Sequence, residues 1–257
     1  MHRLTRWFLL FTCLSCLIFI VIGCRKRQAV VADVPIKPKP LPEITEIDLK
    51  SYKPNESGAV MILMYHRFNP KESNNPLNRT PDQFRKDLDD LYERDYRPAT
   101  VAEFVENRMD VPAGKTPVVL TFDDALPTQF KVVTGTDGQP HIDPDCAIGM
   151  LEKFNKAHPD WPVKGTFFVL PREGRGGDPF GQSDSVAEKF DYLLKHGCEI
   201  ANHTSTHPQM NHLSPEKIQW EIGTAVKDIK AINPGATMTS LALPYGLLPK
   251  KLRGGNS

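Results

Sequence analysis

The sequence lacks any surplus of charge: 32 basic residues stand against 31 acidic ones, a formal net of +1. With no basic excess there is no electrostatic ground for a nucleic-acid partner. Cysteine is scarce, at five in 257 residues, and the spacing of the two outside the N-terminal apolar segment, Cys146 and Cys198, matches no zinc motif. No internal repeat is present, which sets aside repeat architectures. Long hydrophobic runs are missing everywhere except between Trp7 and Gly23. What is there is ordinary for a globular chain, 40% hydrophobic and 25% charged, and this excludes wholesale disorder. The length allows one large domain or two small ones.

Acidic residues are absent from the first 27 positions, which hold Arg3, Arg6, Arg25, Lys26 and Arg27. The rest of the chain therefore carries 27 basic against 31 acidic groups, a net of −4. The uncharged run Trp7 to Gly23 follows two arginines and is short for a spanning helix, which needs roughly 20 apolar residues. A charged start and an apolar middle fit a signal peptide. Val21-Ile22-Gly23-Cys24 resembles a bacterial lipoprotein cleavage box, in which the Cys becomes the lipidated first residue. The other reading of residues 1–24 is an uncleaved membrane anchor. Either way the remainder is expected outside the cytoplasmic membrane, attached to it. Residues 25–57, with Pro35, Pro38, Pro40, Pro42 and Pro54, read as a Pro-rich linker of extended geometry. Cys146 and Cys198 are left for the globular part, residues 58–257, and are expected as two separate buried thiols rather than a disulfide.

From Ala59 onward, apolar runs of strand length alternate with helix-like segments. The runs 59–65, 117–122, 163–170, 198–202 and 239–243 predict strands. Thr80, Pro81 and Asp82 read as the cap and first turn of a helix carrying Phe84, Leu88 and Leu91 at helical spacing. Further helices are expected over 100–104, 147–157, 185–196 (stopped by Gly197) and 215–232, with Ser214 as cap. Residues 132–145 read as loop. Strands apolar throughout and separated by helices indicate a covered parallel sheet, either a β/α barrel or an open α/β sheet. In both, chemistry gathers where strands end.

Two strand ends carry such chemistry. The second strand ends in Thr121-Phe122-Asp123-Asp124, and the fourth runs into Asn202-His203-Thr204-Ser205-Thr206-His207. Adjacent carboxylates repel unless a cation lies beside them. Two histidines four apart share a face if the stretch forms a helical turn. Two imidazoles and a carboxylate suit a divalent metal and leave positions open for water and substrate. Each feature alone is more often a solvated turn or a structural His pair; together, on two predicted strand ends, they point to a site.

TFDD at 121–124 and HTSTH at 203–207 resemble the first two motifs of the polysaccharide deacetylases, carbohydrate esterase family four. Ala242-Leu243-Pro244-Tyr245-Gly246 aligns with the third, with Ala242 where that family has Arg. The resemblance runs from about residue 59 to 248. It implies an incomplete distorted (β/α) barrel of the polysaccharide deacetylase type and hydrolysis of N-acetyl or O-acetyl groups on an acetylated polysaccharide. It implies Asp123 as general base, Asp124, His203 and His207 as ligands of a divalent metal (usually Zn2+, with Co2+ or Ni2+ alternatives), and the Tyr245 backbone N–H at the oxyanion.

Two departures accompany the resemblance. Ala242 cannot orient the catalytic Asp as the family's Arg does, and Arg172 or Arg175 are the substitutes at hand. The chain also ends before the family's fourth and fifth motifs, the last of which holds a proton-donating His, so the domain reads as truncated at its C-terminus. Of the remaining histidines, His66, His141 and His212, each fits a structural or solvated role better than an acid, with His66 first to be tested. The rival readings are a catalytically inactive carbohydrate-binding remnant and a non-haem iron protein.

Overall fold

The computed structural model describes residues 51, 58–171 and 178–250. Residues 1–24 with the lipoprotein box, all of the linker except Ser51, and Arg172 and Arg175 lie outside the described residues. Among the described residues no helix is long and apolar enough to cross a membrane.

The chain alternates strand and helix: β1 (Met61–Tyr65), β2 (Arg67–Phe68), β3 (Asn78–Arg79), α1 (Pro81–Glu93), β4 (Tyr96–Ala99), α2 (Val101–Val105) and β5 (Thr116–Asp123). After these come β6 (Val132–Thr134), β7 (Pro140–Ile142), α3 (Ala147–Ala157), β8 (Thr166–Val169), α4 (Val186–Lys195), β9 (Glu199–Asn202) and α5 (Pro215–Ile232). The main sheet is parallel, in the order β1-β5-β8-β9, and β4 also pairs with β5. Parallel neighbours joined through helices are the pattern of a (β/α) barrel, here incomplete.

Local sequence explains the elements. Thr80 caps α1 through a capping box, its hydroxyl accepting from the Gln83 N–H while the Gln83 side chain accepts from the Thr80 N–H. Pro81 sits in the first turn, where its missing N–H costs nothing. Phe84, Leu88 and Leu91 then bury one helix face against the sheet, and each such side chain contributes about 2 kcal/mol of apolar burial. Along β5, Val118, Leu120 and Phe122 join this core, whereas Val119, Thr121 and Asp123 alternate to the opposite side. The rings of Tyr65, Phe122 and Phe167 stack across β1, β5 and β8, with centroids 5.8 and 4.7 Å apart.

Two expectations change, and one further strand appears. The strand over 239–243 reduces to a single parallel bridge between Leu241 and Asn202. Β4, with Pro98 inside it, lies beside the N-terminal half of β5, so the missing proline N–H is tolerated there. The segment 132–145 contains the antiparallel hairpin β6–β7. Cys146 and Cys198 are buried and make no disulfide, as expected. The Cys146 sulfur instead caps α3 by accepting from the Gly149 N–H.

Candidate metal centre

β5 ends at Asp123, and the chain turns at once through left-handed backbone at Asp124 (φ 77°) and Ala125 (φ 50°). Consecutive strand residues point to opposite faces; the turn at Asp124 breaks that alternation and brings both carboxylates to one place. Such backbone costs about 1–3 kcal/mol per non-glycine residue and concentrates at functional sites. β9 delivers His203 directly from its C-terminal end. The stretch 203–207 is not a helical turn. Thr204 (φ 69°) and His207 (φ 55°) reverse the chain instead, so the expected convergence of the two imidazoles is reached by a different backbone route.

His203 Nε2 and His207 Nε2 each lie 3.4 Å from Asp124 Oδ1. The three ligand atoms fall within 4.8 Å of one another. Zinc bonds of about 2.0–2.2 Å at tetrahedral angles place neighbouring ligand atoms about 3.3–3.6 Å apart, and the two Asp124–His separations fit that range. His203 Nδ1 lies 3.0 Å from the Ala242 carbonyl, to which it donates when protonated, leaving the Nε2 lone pair facing Asp124. Residues and geometry fit a divalent metal. Ala242, which cannot replace an arginine side chain, enters the site through this carbonyl.

Asp123 is buried, and its Oδ1 makes no hydrogen bond among the described residues. Burial pushes its carboxyl up to about 6, opposed by the charge of His203 and assisted by that of Asp124. For Asp124, burial pushes upward too, but contact with His203 and the charges of His203, His207 and His66 outweigh it and hold the carboxyl below its usual value. The neighbouring carboxyls are thus driven apart, one towards a proton acceptor and the other towards a permanent anion.

The residue facing Asp123 is His66, with Nε2 4.0 Å from Asp123 Oδ2. Its place was legible in principle: Tyr65 pairs with Phe122, so the next residue of each strand falls side by side. The buried Gln129 fixes this, its Nε2 donating to the carbonyls of His66 (2.9 Å) and Asp123 (2.5 Å). His141 sits elsewhere, on the exposed hairpin beside Asp137, and His212 lies in a 3-10 turn at Met210–His212. Tyr245 has left-handed backbone (φ 58°), its ring packs 4.6 Å from that of His207, and it is 56% exposed.

The polysaccharide deacetylase family model matches residues 149–255, a span that includes both histidines and Tyr245. The chain is 27% identical over 150 residues to a chitooligosaccharide deacetylase of Rhizobium leguminosarum bv. phaseoli, covering 58% of this chain and 53% of that one. It spans about half the length of the curated relatives it matches. Among solved structures it resembles the Streptococcus pyogenes deacetylase PplD in complex with acetate (TM-score 0.56, 20% identity, 74% of this chain and 76% of that one). It also resembles the Bacillus anthracis polysaccharide deacetylase BA0330 (TM-score 0.54, 17% identity, 75% and 52%). At these identities the solved structures speak for the fold, that of an incomplete distorted barrel. With its motifs on the ends of β5 and β9, the chain is similar to the polysaccharide deacetylases in sequence over residues 149–255 and in fold.

Proposed function

We propose that the chain is a metal-dependent deacetylase that removes N-acetyl or O-acetyl groups from a cell-envelope or exported polysaccharide. The observation that carries this reading is the convergence of Asp124, His203 and His207 beside a separate buried carboxylate, Asp123. Zn2+ is the metal the nitrogen and oxygen donor set suits best, with Co2+ or Ni2+ as alternatives. When bound, the ion supplies Lewis acidity, lowering the pKa of water and polarising the acetyl carbonyl.

The chain's own groups do the rest. Asp123, with its raised pKa, accepts a proton from the attacking water. His66, across from it, hands a proton to the departing nitrogen or oxygen. This replaces the structural role expected for His66 and makes the site self-sufficient in acid and base. The Tyr245 N–H, on its left-handed turn beside His207, donates to the oxyanion. Acetate and a free amine or hydroxyl are the products.

The decisive experiment measures acetate released from a chitin oligomer by the full zinc-loaded chain. Turnover in the wild type and its loss in Asp123→Asn, with zinc retained in both, support the reading. Sugar binding without acetate release from the zinc-loaded wild type overturns it in favour of a binding remnant.

We further propose that the enzyme works outside the cytoplasmic membrane, attached through a lipid on Cys24. The charged start, apolar middle and Gly23-Cys24 pair support this. A Cys24→Ala chain that leaves the membrane fraction agrees with it, and one that stays there points to an anchor helix instead.

A further inference from the structure

The loop carrying both candidate ligand histidines is held from behind by one side chain outside the motifs. Glu221, on α5, is fully buried. Its Oε2 accepts from the N–H groups of Ser205 (3.1 Å) and Thr206 (2.9 Å), and its Oε1 accepts from the Thr206 hydroxyl (2.8 Å). The fourth contact on this carboxylate is the Lys217 ammonium, 3.3 Å from Oε1. The same helix holds the entry to the loop: Asn202 Nδ2 donates to the Ile222 carbonyl, while Asn202 Oδ1 accepts from the Thr204 N–H.

These bonds fall between the two left-handed residues, Thr204 and His207. A loop with two such residues relaxes unless its surroundings over-determine it. Here the donors of both residues in between, Ser205 and Thr206, are taken by a single acceptor-only group. The helix therefore bears on the site through the loop, by its backbone N–H groups, the Thr206 hydroxyl and Asn202.

We propose that Glu221 is a positioning residue that sets the separation of His203 and His207 and thereby the affinity and geometry of the metal site. This inference rests on the metal reading above. A carboxylate suits this position better than an amide: an amide turned to keep its oxygen on the two loop N–H groups sets its NH2 against the Lys217 ammonium and forces the Thr206 hydroxyl to turn and accept, and turned the other way it sets NH2 against the N–H groups.

The test compares full-length wild type, Glu221→Gln and Thr206→Val. It uses zinc competition against a chromophoric chelator, the visible spectrum of the Co2+-loaded proteins, and circular dichroism of the metal-free proteins. Glu221→Gln is expected to keep a folded spectrum, to raise the zinc Kd by about 10- to 100-fold, and to alter the Co2+ absorption bands. Thr206→Val, which removes one of the three loop bonds, is expected to raise the Kd by at least about threefold. A zinc Kd within twofold of wild type in folded Glu221→Gln overturns the inference; should that variant not fold, an unchanged Kd in Thr206→Val does so. Failure of the folded wild type to bind zinc at all removes the metal reading itself and the inference with it.

Discussion

Replacing Asp123 by Asn should stabilise the metal-free protein at neutral pH and do little in acid. Burial raises this carboxyl from 3.8 to about 6. Between those values the folded state binds more protons than the unfolded one, so the contribution of Asp123 to stability falls as the pH rises through that window. A shift of about two units corresponds to roughly 3 kcal/mol at full ionisation. Asn keeps the shape but carries no charge, so its stability relative to wild type should rise by that order between pH 4 and 8, and most steeply from pH 4 to 6. Any fixed cost of burying the amide offsets the curve without changing its slope. Urea unfolding of both proteins in excess chelator across this range reads the effect directly. A difference that stays flat with pH, or one in which the wild type gains as pH rises, would refute the argument that burial strains this carboxylate.

Three other outcomes follow from the same geometry. His66→Gln should lower kcat by about 10²- to 10⁴-fold, the usual range for a lost acid or base, with zinc content and KM little changed, as read by acetate release. Thr80→Ala, which removes the hydroxyl half of the α1 capping box, should cost about 1 kcal/mol in urea unfolding. Dithiothreitol should leave the thermal midpoint unmoved, because Cys146 and Cys198 form no bond to be reduced.

The parts of this molecule legible in its sequence are those governed by local rules. Β1, β5, β8 and β9 are short apolar runs, and α1 and α5 announce their starts with Thr80-Pro81 and Ser214-Pro215. What escaped depends on partners distant in the chain. Β4 holds a proline and is a strand because it lies along the first half of β5. The segment 239–243 is apolar enough for a strand but meets β9 at one residue only. The hairpin β6–β7 has strands of only three residues each, set among Gly, Asp and Pro, and its turn closes through the Gly135 N–H donating to the Gln139 carbonyl. In the site, residue types and order were sufficient to group Asp123, Asp124, His203 and His207. The backbone that unites them was not, since four non-glycine residues, Asp124, Ala125, Thr204 and His207, adopt left-handed conformations that are uncommon outside glycine. The proton-donor role proposed for His66 depends on the β1–β5 register, which sets it beside Asp123 and which the sequence does not show.

The claim on which the rest depends is that one divalent ion is shared by Asp124, His203 and His207. Anomalous diffraction at the zinc edge from crystals of the zinc-loaded full chain tests it most directly. The account predicts a single strong peak within bonding distance, about 2.0–2.2 Å, of an Asp124 carboxylate oxygen and the Nε2 atoms of both histidines. A stoichiometrically loaded crystal whose peak lies elsewhere, or in which either imidazole faces away from it, would contradict that claim.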